Sequence, residues 1–157
     1  MLEAIKLIPT TERPKIIIAG DGIRENEVRE LMLNAADSDG IEAEVSGAFT
    51  PDQFQELVKQ LDVMFAIYPP ERGNILQGAL PVKMFDAAAN GVPSVVNSGC
   101  LMGEIAETEE IGKAVEWNDA QAACDALLEL RNKTVELTIT SQREKEKFLS
   151  TVLPLID

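Results

Sequence analysis

At 157 residues the chain is long enough for one domain with a substantial core, and 45% hydrophobic with 26% charged residues is the balance of a globular protein. Fourteen Lys and Arg against 27 Asp and Glu give a net charge of −13, which argues against a nucleic-acid-binding face. The absence of histidine removes Ser-His-Asp and Cys-His nucleophile schemes and most zinc sites. Chemistry must therefore come from carboxylates, Lys and Arg, or backbone dipoles. Cys100 and Cys124 form neither a metal-ligand spacing nor a disulfide framework, so a cytoplasmic protein is expected. Charge within Met1–Lys6 argues against a signal peptide, and no apolar run approaches membrane-spanning length.

In chain order, Leu2, Ile5 and Ile8 have helical spacing, and Pro9 ends that helix. Lys15–Ala19 is a continuous β-branched run, the pattern of a central parallel strand. Gly20-Asp21-Gly22 turns into a helix with a Val28, Leu31, Met32, Ala35 stripe that stops near Gly40. Glu42–Ser46 carries charge and predicts a strand near a sheet edge. Thr50-Pro51-Asp52-Gln53 is a capped helix start, followed by the apolar face Phe54, Leu57, Val58 and Leu61. Asp62–Tyr68 predicts the third strand, and a loop of about 12 residues follows, longer than most and of the kind that carries function.

Pro93–Asn97 predicts a fourth strand, Ser98–Gly103 a flexible loop, and Glu104–Glu110 a short acidic helix or turn. Ile111–Glu116 predicts a fifth strand. Asn118 is expected to cap a helix with Ala123, Ala126, Leu127 and Leu130 on one face. Thr138–Val152 predicts a closing helix whose apolar face is Phe148, Leu149 and Val152. Helices and strands alternate throughout. The pattern predicts a single α/β domain over residues 1–157, a three-layer Rossmann-like arrangement with a mostly parallel sheet.

The stretch Tyr68–Val96 organises the rest. Pro81 occupies the place of a first helical residue, and Asn90-Gly91 and Pro93 stop the helix. The N–H groups of Val82, Lys83 and Met84 are expected to lack intrahelical partners and, with the helix dipole, to favour an anion. Lys83 adds positive charge in that first turn, and Asp86 lies three residues on, on the same face. A plain i, i+3 salt bridge between Lys83 and Asp86 is the structural alternative.

Several of these segments resemble the carboxy-terminal, donor-binding domain of GT-B glycosyltransferases of the retaining family-4 group. The matches are Leu2-Glu-Ala-Ile5 with Ile16-Ile-Ile-Ala-Gly-Asp-Gly22, Val45-Ser-Gly-Ala-Phe49, Leu61-Asp-Val-Met-Phe-Ala-Ile-Tyr-Pro69, and Gly103-Glu-Ile-Ala106. The most specific is Pro81-Val-Lys-Met-Phe-Asp-Ala-Ala-Ala-Asn-Gly-Val-Pro-Ser-Val-Val96. The resemblance runs from residue 2 to about residue 130 and implies one half of a GT-B fold. It implies a nucleotide-diphospho-sugar partner linked to UDP or GDP, no cofactor and no metal. Asp86 then stands where the family's Glu accepts the ribose hydroxyls, and Lys83 where a Lys reaches the phosphates. The backbone of Ala79, Leu80 and Val82 faces the diphosphate, Ala48 and Phe49 contact the base, and Gly20 and Gly22 line the cleft.

Gly78 falls where the family has the first acid of its paired Glu residues, so the sugar contact is missing or comes from Glu71. No catalytic residue is assigned. The chain opens on a helix where such domains open on a strand, and the family's Arg and Lys pair and amino-terminal acceptor domain have no counterpart among these residues. The resemblance thus implies a fragment of a two-domain enzyme, inactive in isolation. A non-catalytic flavodoxin-like regulatory or protein-interaction domain is the alternative, and it predicts no nucleotide binding. A nicotinamide-dependent reductase is disfavoured, because Gly20-Asp21-Gly22 lacks the third glycine of that fingerprint.

Overall fold

The computed structural model describes residues 1–155. In chain order they form α1 (Leu2–Leu7), β1 (Ile16–Ala19), α2 (Glu25–Asp39), β2 (Ala43–Ser46), α3 (Pro51–Val58), β3 (Met64–Ala66), α4 (Gly73–Leu76), α5 (Val82–Ala89), β4 (Ser94–Asn97), α6 (Leu101–Thr108), β5 (Gly112–Val115), α7 (Ala120–Leu130) and α8 (Ser141–Val152). The class is α/β and every strand pairing is parallel. The strands do not form one sheet. β1 pairs only with β2, and β3, β4 and β5 form a separate sheet in that order.

Alternation along the strands shows how the layers are built. On β4, Val95 faces α1 and α7 while Val96 faces α5 and α6, and β3 splits Phe65 and Ala66 the same way. This half is a three-layer unit. Its helix and strands approach very closely: a Cβ on Gly103 would lie 2.5 Å from the Asn97 carbonyl oxygen, and one on Gly112 would lie 2.2 Å from that of Ser94. On β1, Ile16 and Ile18 pack with Ile5, Met32 and Ile41, but Ile17 belongs to no buried cluster. The α1 helix joins the halves, with Ile5 in the β1–β2 cluster and Ala4 and Ile8 in the β3–β5 cluster.

Local chemistry accounts for the well-formed elements. Thr50 accepts from the Gln53 N–H and the Gln53 side chain accepts from the Thr50 N–H, a reciprocal capping box. The α2 helix ends on Gly40 at φ +65°.

Several sequence expectations are corrected. Ile16–Ala19 is paired on one side only, because among the described residues no strand lies between β1 and β3. Pro81 is extended, with ψ 124°, and caps α5 from outside the helix. Asp119, not Asn118, caps α7 by accepting from the Ala122 N–H; Asn118 takes φ +65° just before it. The expected loop 98–103 is half helix, since α6 begins at Leu101. The expected core face of the last helix is largely uncovered, with Phe148 62% and Leu149 39% exposed.

Candidate functional site

The loops that follow β1, β2 and β3 carry the candidate residues, at the carboxyl ends of parallel strands where α/β proteins place ligands. Gly20 and Gly22 follow β1 at φ +144° and +156°, backbone that residues with side chains rarely adopt. The Gly20 N–H donates to the Gly47 carbonyl at 3.0 Å, which ties the β1 turn to the β2 turn. Ala48 and Phe49 come next, both exposed, and the Phe49 ring stacks on Phe54 with centroids 5.4 Å apart.

After β3 the chain is pinned by a residue that sequence reasoning passed over. The buried Asn97 side chain accepts from the Tyr68 N–H at 2.8 Å and donates to the Tyr68 carbonyl at 2.9 Å. An amide here carries the β3–β4 contact on to Tyr68, two residues past the end of β3, and fixes where the long loop departs. That loop is not unstructured: Gly73–Leu76 forms α4, with Ile75 buried beneath it.

The Tyr68 ring gathers the cations. The Lys83 ammonium sits 4.9 Å from its centroid and the Arg72 guanidinium 5.3 Å. Lys83 also donates to the Phe65 carbonyl at 3.3 Å. Burial, then the nearby Arg72 charge, hold the Lys83 pKa below its ordinary value; burial raises that of Tyr68. The expected alternative, a Lys83–Asp86 salt bridge, does not form: among the described residues neither Lys83 nor Arg72 has a carboxylate within 4.0 Å, although acids outnumber bases almost two to one. Arg72 and Tyr68 were missed because nothing local marks them; only the folded loop brings the pair to Lys83.

At the start of α5 the donors are fewer than expected. The Met84 N–H donates to the Pro81 carbonyl at 3.1 Å, and the Ala79 N–H to the Asn74 carbonyl at 2.9 Å, so neither is free for an anion. Leu80 and Val82 are exposed, and Val82 and Lys83 stand at the helix's positive end. Asp86 is half-buried, and its own carbonyl receives the Asn90 side-chain amide at 2.8 Å. Glu71 is exposed beside Arg72 in the chain. A cavity of about 590 Å³ reaches Phe49 and Lys83 but none of the other expected residues, and it runs mainly between β1 and β3. Among the described residues no group of three or more acidic or cysteine side chains could hold a metal, and no helix is long and apolar enough to cross a membrane.

Parallel strands covered by helices, with glycine turns and a cationic pair at their carboxyl ends, define a Rossmann-like α/β domain of the kind that forms half of a GT-B fold. The sequence model of the family described as Glycosyl transferases group 1 matches residues 1–133. The chain belongs to that family, and only the segment carrying α8 lies beyond the match. Comparison with curated proteins gives no match.

Proposed function

We propose that the domain binds the donor of a glycosyl transfer, a nucleoside diphosphate-linked sugar, and that the acceptor is held by another domain. The observation that carries this reading is the pair Arg72 and Lys83, two neighbouring cations without acid partners in a chain of net charge −13. Lys83 is half-buried with the exposed Arg72 on the same ring, and keeping a partly buried ammonium charged beside a like charge is unfavourable unless an anion completes the site. The exposed amino end of α5 adds a positive dipole beside them. In this reading the diphosphate meets Lys83, Arg72 and the Val82 and Lys83 N–H groups. Asp86 accepts from the ribose, while Gly20, Gly22, Ala48 and Phe49 border the nucleoside and Glu71 the sugar. The cations then stabilise the charge that develops on the departing diphosphate.

Calorimetric titration with UDP and GDP, with NADH as control, tests the assignment. Weak saturable binding of one nucleoside diphosphate is expected, lost in Lys83→Ala and reduced in Asp86→Ala, with no sugar transfer by the chain alone. Absence of nucleotide binding, together with indifference to both substitutions, would favour a regulatory domain instead.

A further inference from the structure

We propose that Asn97, the last residue of β4, is the positioning residue of the cationic site: through the main chain of Tyr68 it sets where Arg72 and the Tyr68 ring stand relative to Lys83. The proposal deepens the donor-binding reading and rests on it for the identity of the ligand. Asn97 is 7% exposed and both of its side-chain bonds go to Tyr68, so it acts through that residue and not on a ligand.

The chain after Tyr68 explains why a side chain is needed there. Pro69 and Pro70 carry no N–H, so the Tyr68 N–H is the last main-chain donor before two residues that have none, and a strand ladder cannot run on. A primary amide answers the Tyr68 N–H and C=O together, with one acceptor and one donor in a plane. An Asp would meet that carbonyl with a second acceptor, and a Ser is shorter by a bond. Asn97 is itself held firmly, because α6 packs so closely that a Cβ on Gly103 would lie 2.5 Å from the Asn97 carbonyl oxygen.

From the pinned residue the path to the first cation is short and stiff. Two prolines of fixed φ lie on it, and the Arg72 N–H donates to the Pro69 carbonyl at 2.9 Å, closing a turn. Beyond it the Ile75 N–H donates to the Arg72 carbonyl, and Ile75 is buried. Arg72 is therefore held between a pin in the sheet and the anchored α4. Lys83 arrives on a different element, α5, and the two cations share only the Tyr68 ring. Without the pin, the ring and the turn that carries Arg72 shift together, and the two charges no longer converge on one anion.

The test titrates the 157-residue chain with inorganic pyrophosphate, which probes the cations alone, and with UDP and GDP. Asn97→Ala should weaken pyrophosphate binding about ten-fold, the loss of one charge-assisted contact. Asn97→Ser, a milder change should the first not fold, should weaken it in the same direction. A defect unrelated to Arg72 would multiply with the loss of Arg72, whereas a positioning role cannot. The double variant Asn97→Ala with Arg72→Ala should therefore fall well short of the about hundred-fold loss that independent effects give. Tyr68 is the one tyrosine of the chain, so phenol absorbance reads its ring alone. Burial holds that phenol above its ordinary 10.0, and both Asn97 variants should bring it down toward that value. Pyrophosphate binding that depends on Asn97, with neither UDP nor GDP bound, would sink the donor reading and leave the positioning role standing. Parent-like pyrophosphate affinity in the folded Asn97 variants, fully independent losses in the double variant, or an unmoved phenol titration would overturn the positioning role.

Discussion

The β3–β4–β5 half buries both faces of its sheet, whereas the β1–β2 half buries one. Both are built from the same local pattern of strand, turn and helix, so the difference is not one of propensity. It comes from neighbours. Val95 and Val96 have strands on both sides and helices above and below, and neither is accessible to water. Ile17 has a strand on one side and a cavity on the other. Stability should therefore be uneven, with the β3–β5 half holding the global unfolding energy and the β1–β2 half opening at lower cost.

The sharpest way to break the well-packed half is Gly112→Ala. The added methyl would meet the Ser94 carbonyl oxygen at 2.2 Å, a backbone atom that cannot turn aside, in the register pair that aligns β4 with β5. A loss of about 3 kcal/mol is expected from such overpacking. Urea unfolding with the m-value checked measures it. A loss below about 1 kcal/mol would mean that β5 can slide, and that the two halves are less different than their burial implies.

Next in size is the joint between the halves. Ile5 is buried against Ile16, Met32 and Ile41, on the helix that also anchors Ala4 and Ile8 to the other sheet. Ile5→Ala should cost about 2–3 kcal/mol through the cavity it leaves. Amide exchange should show the loss concentrated in β1 and β2, with Val95 and Val96 still protected. A uniform loss would show that the molecule unfolds as one unit.

The third test weighs the site that sits at the edge of the stable half. Arg72→Ala should weaken binding of UDP or GDP by about ten-fold, as expected for one charge-assisted contact. The pH dependence has a definite sign. The Lys83 pKa is lowered, chiefly by burial, so the ammonium loses its proton below the ordinary lysine value of 10.5. Diphosphate affinity should then fall as pH rises through that lowered pKa, and binding should be accompanied by proton uptake on the alkaline side. Affinity that stays constant to pH 10.5 would remove Lys83 from the site.

How much of this was legible in the sequence follows the range of the interactions. The Thr50 capping box, the Gly40 stop and the buried run Val95–Val96 depend on residues a few positions apart, and they stand as read. The parallel α/β class was legible for the same reason. Pairing over longer range was not. Ile16–Ala19 has the composition of a strand with two neighbours, but composition cannot show that one neighbour is missing. Phe148 and Leu149 keep helical spacing on α8, yet spacing does not say what covers them. At the candidate site, Lys83 and Asp86 stand on one helix, and the ion pair weighed as the plain alternative does not form among the described residues. Arg72 reaches Lys83 only through the folded loop and the Tyr68 ring, and Asn97 reaches Tyr68 across 29 positions.

The smallest expected effect concerns α8, whose tie to the better-packed half is polar. Arg143 donates from both terminal guanidinium nitrogens to Glu109, at 2.7 and 2.8 Å, and the Thr138 hydroxyl donates to the same carboxylate. These bonds, that of Arg143 foremost, hold the Glu109 pKa at about 2, below its ordinary 4.5. Because the folded pKa is the lower one, the contribution is complete above about pH 5 and is lost as the pH falls from there toward 2. Glu109→Gln should therefore increase amide exchange along α8 at neutral pH, while the urea midpoint of the β3–β5 half stays that of the parent. The parent chain at pH 2.5 should show partial loss of the same protection. If α8 kept its protection in the variant and at low pH alike, its apolar residues, not the ion pair, would be what holds it to the domain.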